Sequence, residues 1–310
     1  MTAAVMVTVD DRYSACLQLF LGSLHREYPN HPEVLVCTAG WNADLLDRFR
    51  RLFPFVTWVD VATLDWNTGP PMKHQQEFDR SVMYARWAAF TGRFDRYDQV
   101  LYLDADMLVL GPLDALVGSS QMVAFEELFP HKSTLVFTDR DAPGLRALLD
   151  ADGLGNHSWN VAANAGVIAL PRSVRTAEHL ATARRITQKY GPYLMWGDQS
   201  LLNVWMARYG FGVTHDCRFN YQLRLLLENQ RPCCPFRDVK ILHFNGQRPD
   251  SLFLMAVAFL MVTSVPGGRK LLPTVLRIAA SPVLDRLPGY RMVQALRQRI
   301  VERALAAAAT

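Results

Sequence analysis

The chain has no apolar run long enough to cross a bilayer, no glycine-rich, lysine-containing loop after its first strand, no internal repeat, and no low-complexity segment beyond its terminal alanines. Each absence removes a class of protein. Residues 252–262 form a strongly apolar stretch, but about a dozen residues fall short of the roughly 20 that a spanning helix requires. The missing phosphate loop weighs against a nucleotidyltransferase, the rival enzyme class that also uses a doubly wound sheet and metal-bound carboxylates. No basic and apolar leader precedes the strand-like VMVTV at residues 5–9, so secretion is not expected. Cysteines are few and odd in number, five, without repeated zinc-finger spacing. Cys16 and Cys37 lie in apolar surroundings and are expected to be reduced core thiols, which fits a cytoplasmic protein.

What is present is material for a large core: half of the 310 residues are hydrophobic, which suits one sizeable domain or one domain with an appendage. The net charge of +4 is unevenly spread. Residues 252–310 carry eight Lys or Arg against Asp285 and Glu302, a net +6, which leaves −2 for residues 1–251. The basic character therefore belongs to the C-terminus, arguing against nucleic acid in the main domain and for an anionic surface meeting the tail.

Residues 4–9 alternate into a strand, and Ser14–His25 has helical periodicity through Leu17, Phe20, Leu21 and Leu24. Strands over Glu33–Thr38 and Val56–Val61 flank a helix over Ala43–Leu52. This βαβαβ rhythm predicts an α/β fold with a Rossmann-like, mostly parallel central sheet, in which ligands gather at the carboxyl ends of strands. Residues 63–76 read as a loop, 78–94 as a helix carrying Arg80 and Arg86, Asn164–Leu170 as a strand, Ser173–Tyr190 as a helix, residues from Asp198 onward as another, and Val239–Phe244 as the final strand.

The most informative stretch is VLYLDADMLVL, residues 100–110. It reads as a buried strand, and because extended side chains alternate faces, Asp104 and Asp106 would point the same way with Ala105 opposite. Two hard oxygen ligands could then converge on one divalent cation holding a diphosphate. An isolated Asp-x-Asp is often only a turn, but here apolar runs on both sides make uncompensated carboxylates expensive.

Six pieces taken together resemble the retaining family 8 glycosyltransferases, relatives of glycogenin and of bacterial lipooligosaccharide galactosyltransferases. They are VTVDDRY at 7–13, MYAR at 83–86, LYLDADMLVLGPLDAL at 101–116, NAGV at 164–167, GDQSLLN at 197–203 and LHFNG at 242–246. The resemblance covers about residues 5–249. It implies a GT-A domain over residues 1–250; the apolar and basic composition of 251–310 reads separately as an accessory helical tail. It also implies sugar transfer with retention from a UDP-sugar, using Mn²⁺, with Mg²⁺ as the alternative.

By position, Asp104, Asp106 and His243 match the family's metal ligands, a mixed oxygen and imidazole set that favours a first-row ion. Alone, His243 would more often be a packed strand histidine. Arg86 matches a residue approaching the donor diphosphate, against the plainer alternative of a surface helix arginine in a salt bridge. Thr8, Asp10, Arg12 and Tyr13 fall where the family contacts the nucleoside, although Asp10 could serve only as a helix N-cap, and Arg12 departs from the small polar residue usual there. Asn164, Asp198 and Gln199 match residues around the transferred sugar and are the catalytic candidates; Asp198 could equally cap its helix, and Gln199 is a poor nucleophile. Glu127 lies where some relatives place a sugar-contacting acid, on a looser alignment. Gly246 and Arg248 stand in the closing loop, where the family's Gly then Lys-Pro-Trp is replaced by Gln247, Arg248, Pro249 and Asp250, one residue shorter and without the aromatic.

The resemblance implies a nucleotide-sugar donor and a glycan or lipid-linked acceptor in cell-surface polysaccharide synthesis. A catalytically inactive sugar- or membrane-binding protein is the non-enzymatic rival. In the tail, Met292, Val293, Leu296, Ile300 and Leu305 share one helical face with arginines elsewhere, the pattern of an interfacial helix. Peripheral attachment to the inner face of an anionic membrane is the expectation, with packing on its own domain as the alternative.

Overall fold

The computed structural model describes residues 1–66, 84–128, 136–228, 233–245, 251–286 and 289–310. Its first half follows the periodicity closely. Strand β1 (Ala3–Asp10), helix α1 (Ser14–Glu27), β2 (Glu33–Ala39), α2 (Ala43–Leu52) and β3 (Val56–Asp60) alternate, and β1, β2 and β3 pair in parallel. Residues 4–10 of β1 are all buried, as expected for a central strand covered on both faces. Asn42 starts α2 because its side-chain oxygen accepts from the amides of Asp44 (2.8 Å) and Leu45 (3.2 Å), occupying donors that the first turn leaves open.

Strand β4 (Gln99–Leu103) lies parallel to β1, so the sheet continues inward from the N-terminus. The stretch 100–110 is not one strand. β4 ends at Leu103, and Met107–Val109 forms β5 in a different sheet. Strands β6 (Val123–Glu126) and β7 (Ala163–Pro171) complete the first sheet in antiparallel fashion, in the order β3-β2-β1-β4-β7-β6. Strands β8 (Tyr221–Gln222) and β9 (Ile241–His243) join β5 in the order β5-β9-β8. Both halves of 100–110 are apolar because each is sandwiched in a core, and hydropathy alone cannot mark where the chain passes from one sheet to the other.

The helix expected over 78–94 falls partly outside the described residues, as does the loop over 63–76. Within the described part, Ala85–Phe90 and Gly92–Phe94 are 3₁₀ turns. Residues 85–90 are all buried, so no solvated face exists to make an amphipathic α-helix; Trp87 instead packs edge-on against Trp205, centroids 5.6 Å apart. Helix α3 (Pro143–Ala151) was not anticipated. Helix α4 spans Ala177–Tyr190 rather than starting at Ser173, because Thr176 caps it through the His179 amide at 3.2 Å. Helix α5 (Gly197–Tyr209) ends at Gly210 in the left-handed region (φ 68°), and the short α6 covers Leu223–Leu227.

The tail comprises α7 (Ser251–Ser264), α8 (Gly268–Ala279) and α9 (Tyr290–Ala308). None of the described helices is long and apolar enough to cross a membrane. Its inner side shares one hydrophobic cluster with α1 and β5, Leu254, Phe259, Leu272, Leu276 and Ala304 lying with Leu17, Phe20 and Leu24. Each fully buried leucine contributes about 1.5–3 kcal/mol. Gly22 of α1 touches α9 so closely that an added Cβ would lie 2.9 Å from Ala308 Cβ, and Gln18 Nε2 donates to Leu305 O at 2.6 Å.

Cys16 and Cys37 carry free thiols, as expected, and burial pushes both up to about 12. Cys217 and Cys233 are joined in a disulfide, a pairing the sequence reading did not foresee.

Candidate active site

The two sheets meet at residues 104–106, and strand register assembles the site there. The β4–β7 ladder pairs Leu103 with Val167 and runs one step further, Asp104 N donating to Gly166 O at 2.9 Å. The chain then crosses to β5 with Ala105 turned into the core, and Met107 pairs with His243 on β9. Phe244 N donates to Asp106 O at 2.9 Å, which locks the end of β9 against the crossing.

Three side chains converge as a result. His243 Nε2 lies 3.4 Å from Asp106 Oδ1 and 3.9 Å from Asp104 Oδ2, and the three candidate ligand atoms all lie within 4.8 Å of one another. The imidazole is buried, while the Asp104 and Asp106 side chains are 28% and 21% exposed, so the cluster has a dry floor and an open mouth. Burial works to depress the His243 pKa, but the Asp106 carboxylate, with Asp104 and Glu127 behind it, outweighs burial and the net shift is upward. Two carboxylates and one imidazole form a donor set suited to a divalent first-row cation, and this spacing lets one ion touch all three.

Beneath Asp104 lies a buried cation. Arg86 Nε stands 2.5 Å from Asp198 Oδ2 and its Nη2 3.6 Å from Asp104 Oδ1, while Nη1 donates to the carbonyl of Ala165 and the guanidinium sits 4.6 Å above the Tyr102 ring centroid. Arg86 is therefore no surface arginine. Burial opposes its charge, yet Asp198, Tyr102 and Asp104 raise its pKa overall, so it stays cationic. Asp198 is the member that titrates: burial pushes its carboxyl up to about 6 against the pull of Arg86. It sits in the first turn of α5, where Trp196 occupies the cap position, and its carboxylate serves both the arginine and the backbone amides of residues 198 and 199.

A register shift builds the opposite wall. On β6, Ala124 pairs with Ile168 but Phe125 pairs with Asn164, so residues 165–167 of β7 pass without a β6 partner. Their backbone faces the site: Ala165 N donates to Gln199 Oε1 (3.2 Å) and Gly166 N to Asn164 Oδ1 (2.9 Å). Both amides then donate to one carboxylate, Asn164 Nδ2 to Glu127 Oε2 at 2.7 Å and Gln199 Nε2 to the same atom at 3.4 Å. Glu127, only loosely placed by sequence, thus belongs to the cluster. Its Oε1 is buried with no hydrogen-bond partner among the described residues.

The residues after β1 border the same cluster. Tyr13 and Cys16 both have their pKa raised first by burial and then by Asp106, so this turn lies beside the crossing. Thr8 is occupied with Tyr102, its hydroxyl 2.9 Å from the phenol oxygen, and Tyr102 in turn donates to Asp104 Oδ1 at 2.7 Å. Asp10 accepts from Tyr13 N at 3.3 Å, the helix-start role named as its plainer alternative, and also pairs with Arg12. Arg12 and Tyr13 keep exposed surface. Gly246 and Arg248 lie outside the described residues.

Sequence reasoning missed Tyr102, Gly166 and Asn220. An added Cβ on Gly166 would lie 2.5 Å from His243 Cε1, so the glycine makes room for the imidazole. Asn220 is 1% exposed and its Oδ1 stands 2.8 Å from His243 Nδ1. A polar residue between the buried aromatics Phe219 and Tyr221 was the available signal.

No protein-family model and no curated protein sequence matches the chain. Solved structures do. The bifunctional glycosyltransferase WbbM in its apo form is 17% identical, with a TM-score of 0.59 over 89% of this chain and 52% of that one. The galactosyltransferase LgtC, determined with donor and acceptor sugar analogs, is 19% identical with a TM-score of 0.56 over 86% and 98%. Apo GlyE from Streptococcus pneumoniae TIGR4 is 17% identical with a TM-score of 0.54 over 89% and 63%. The chain spans about half the length of WbbM and nearly the full length of LgtC. It has the GT-A fold, an α/β architecture with a central, mostly parallel sheet and a helical C-terminus.

Proposed function

We propose that this chain is a metal-dependent retaining glycosyltransferase that moves a hexose or N-acetylhexosamine from a UDP-sugar to a glycan or lipid-linked acceptor in cell-surface polysaccharide synthesis. The observation that carries the reading is the meeting of Asp104, Asp106 and His243 where the two sheets of a GT-A fold join. Asp104, Asp106 and His243 would hold the cation, Mn²⁺ being favoured by the imidazole. When bound, the ion supplies positive charge against the diphosphate that departs with the nucleotide.

The protein's own groups carry the rest. Arg86, fixed by Asp198, Asp104 and the Ala165 carbonyl, is a preorganised cation under the same diphosphate, so little reorganisation accompanies charge build-up. Asp198, Asn164 and Gln199 supply oxygens and amides to orient the sugar, with Glu127 behind them, and an anionic Asp198 stabilises an oxocarbenium-like ring. Asp10, Arg12 and Tyr13 border the site where the nucleoside would lie, and the family resemblance makes Gly246 and Arg248 further candidates for contact with the donor. The anomeric C–O bond to the diphosphate breaks as the acceptor hydroxyl attacks from the same face, and the acceptor proton passes to the leaving phosphate oxygen. Gln199 is unsuited to a covalent route, being a neutral amide already engaged with Ala165, Asn164 and Glu127.

Peripheral membrane attachment belongs to the same proposal. Helices α7, α8 and α9 enclose an apolar groove of about 420 Å³, lined by Val257, Leu260, Val275, Ile278, Leu296 and Ile300. Ile278, Val283, Met292 and Leu296 expose more than half their surface, and Arg299 and Arg303, expected from the sequence to lie elsewhere on the helix, are exposed on the same α9 face as Met292 and Leu296, because 292, 296, 299 and 303 follow helical spacing. Apolar side chains beside arginines complement an anionic bilayer. Replacing Met292 and Leu296 by Ser should weaken binding to phosphatidylglycerol vesicles without disturbing Ala304 and Ala308 on α1; unchanged binding would remove the membrane role.

The test of the activity is UDP release from a panel of UDP-sugars by purified protein with Mn²⁺, with EDTA and Asp104→Asn as controls. Metal-dependent release from one sugar identifies reaction and donor together. No release from any sugar, with no UDP binding by calorimetry, would overturn the reading.

A further inference from the structure

We infer that Asn220 is a positioning residue that fixes the tautomer of His243, holding Nε2 unprotonated toward Asp104 and Asp106 in the neutral ring. Hydrogen-bond polarity fixes the ring, beginning at a backbone amide whose direction is not adjustable. Gly166 N–H can only donate, and its partner at 2.9 Å is Asn164 Oδ1, which orients the Asn164 amide. The NH₂ group of Asn164 is thereby directed to Glu127 Oε2 at 2.7 Å, where a carboxylate oxygen can only accept.

The same orientation leaves Asn164 Oδ1 facing Asn220 at 3.1 Å, so Asn220 presents its NH₂ there and its carbonyl oxygen on the other side. That oxygen is 2.8 Å from His243 Nδ1 and can only accept. Asp106 Oδ1 also accepts, but it stands 3.4 Å from Nε2 against 2.8 Å for Asn220 at Nδ1, so the nearer acceptor holds the single proton of the neutral ring on Nδ1. A neutral imidazole with Nδ1–H has its lone pair on Nε2, the atom 3.4 Å from Asp106 Oδ1 and 3.9 Å from Asp104 Oδ2.

Burial makes this chain strict. Asn220, Asn164 and His243 are all at most 3% exposed, so water does not compete for the four links. Asn220 is itself held by its place in the fold, its backbone N–H donating to Cys217 O at 3.2 Å just before β8, whose Gln222 pairs with His243. The β7 register shift that exposes the Gly166 amide thus reaches the histidine three hydrogen bonds away.

The inference rests on the metal reading of the Asp104, Asp106 and His243 cluster, and the experiment separates the two. Metal-stripped wild type, Asn220→Asp and Asn220→Leu are titrated with MnCl₂ alone, with free Mn²⁺ read by electron paramagnetic resonance. The ¹⁵N shifts of His243 are measured in metal-free wild type at alkaline pH, where the ring is neutral. Asn220→Leu should weaken Mn²⁺ binding by about 10–100-fold, the usual loss when a ligand histidine loses its outer partner. Asn220→Asp keeps the acceptor at Nδ1 and loses only the donor to Asn164 Oδ1, so it should lose clearly less Mn²⁺ affinity than Asn220→Leu, whereas a merely structural role would cost both variants alike. Wild-type spectra should show Nδ1–H.

Wild-type Mn²⁺ affinity in a folded Asn220→Leu, equal losses in both variants, or an Nε2–H ring in wild type would each overturn the inference. Should Asn220→Leu fail to fold, Asn220→Asp and the spectra still decide it. Failure of wild type to bind Mn²⁺ would instead overturn the metal reading, leaving the tautomer to be judged from the spectra.

Discussion

Gly166→Ala adds a single methyl group at the point where β7, Asp104 and His243 meet. Its Cβ would lie 2.5 Å from His243 Cε1, 2.7 Å from Met107 Cε and 3.0 Å from Asn164 Oδ1. Carbon atoms normally rest about 3.5–4.0 Å apart, so the imidazole or β7 must give by about 1 Å. The Met107 side chain is flexible and can turn away; the ring is held at Nδ1 by Asn220 and at its backbone by β9, and has less freedom. A displacement of about 1 Å at a reacting centre costs about 10²-fold in rate, and overpacking a buried position costs about 1–3 kcal/mol. Donor turnover should therefore fall about 10²-fold with Mn²⁺ affinity falling alongside, while the protein remains folded. Gly212 is the control, because a Cβ there meets nothing within 4 Å. UDP release, Mn²⁺ titration and calorimetric unfolding of both variants make the comparison. Wild-type metal affinity and turnover in Gly166→Ala would refute the close packing of glycine on imidazole as a determinant of the site.

Asp106→Asn should abolish metal-dependent UDP release while circular dichroism and melting stay near wild type; retained release would remove Asp106 from the ligand set. Arg86→Met leaves the buried Asp198 without its cation and should cost about 3–5 kcal/mol in chemical denaturation, with the double variant Arg86→Met/Asp198→Leu recovering much of it. If the single variant is as stable as wild type, the buried pair is misassigned. Because the folded Asp198 carboxyl is raised to about 6, the native state binds its proton more tightly than the unfolded chain does. Its contribution is fully present below the unfolded carboxylate pKa of about 4 and is lost as pH rises through about 6. Asp198→Asn should remove that slope from the stability of wild type between these values, and parallel pH profiles for the two proteins would contradict the upward shift.

The parts of the site that can be read along the chain are those carried by short segments. The two aspartates stand one residue apart, and His243 ends an apolar strand; the structure brings one ligand atom of each within 4.8 Å of the others. Arg86 was legible as a residue but not as a buried partner of Asp198, because the two are brought together by packing between distant segments. Residues 100–110 were misread as one strand for a similar reason: strands of two different sheets, each buried on both faces, leave no polar residue at the boundary except the aspartates themselves. The tail carried both an interfacial pattern and a packing pattern, and its inner side does pack on α1 through Ala304, Ala308 and Leu305.

Periodicity, residue chemistry and charge are local properties, so the strand and helix alternation of the first 60 residues, the metal-ligand candidates and the strongly basic tail are legible along the chain. The register shift of β7 at Asn164, the hydrogen-bonded wall of Glu127, Gln199 and Asn164, and the reach of Asn220 to His243 arise from packing between distant segments. Hydrogen-bond partners far apart in the chain are chosen by strand register and by the exclusion of water, and neither is written in any single segment.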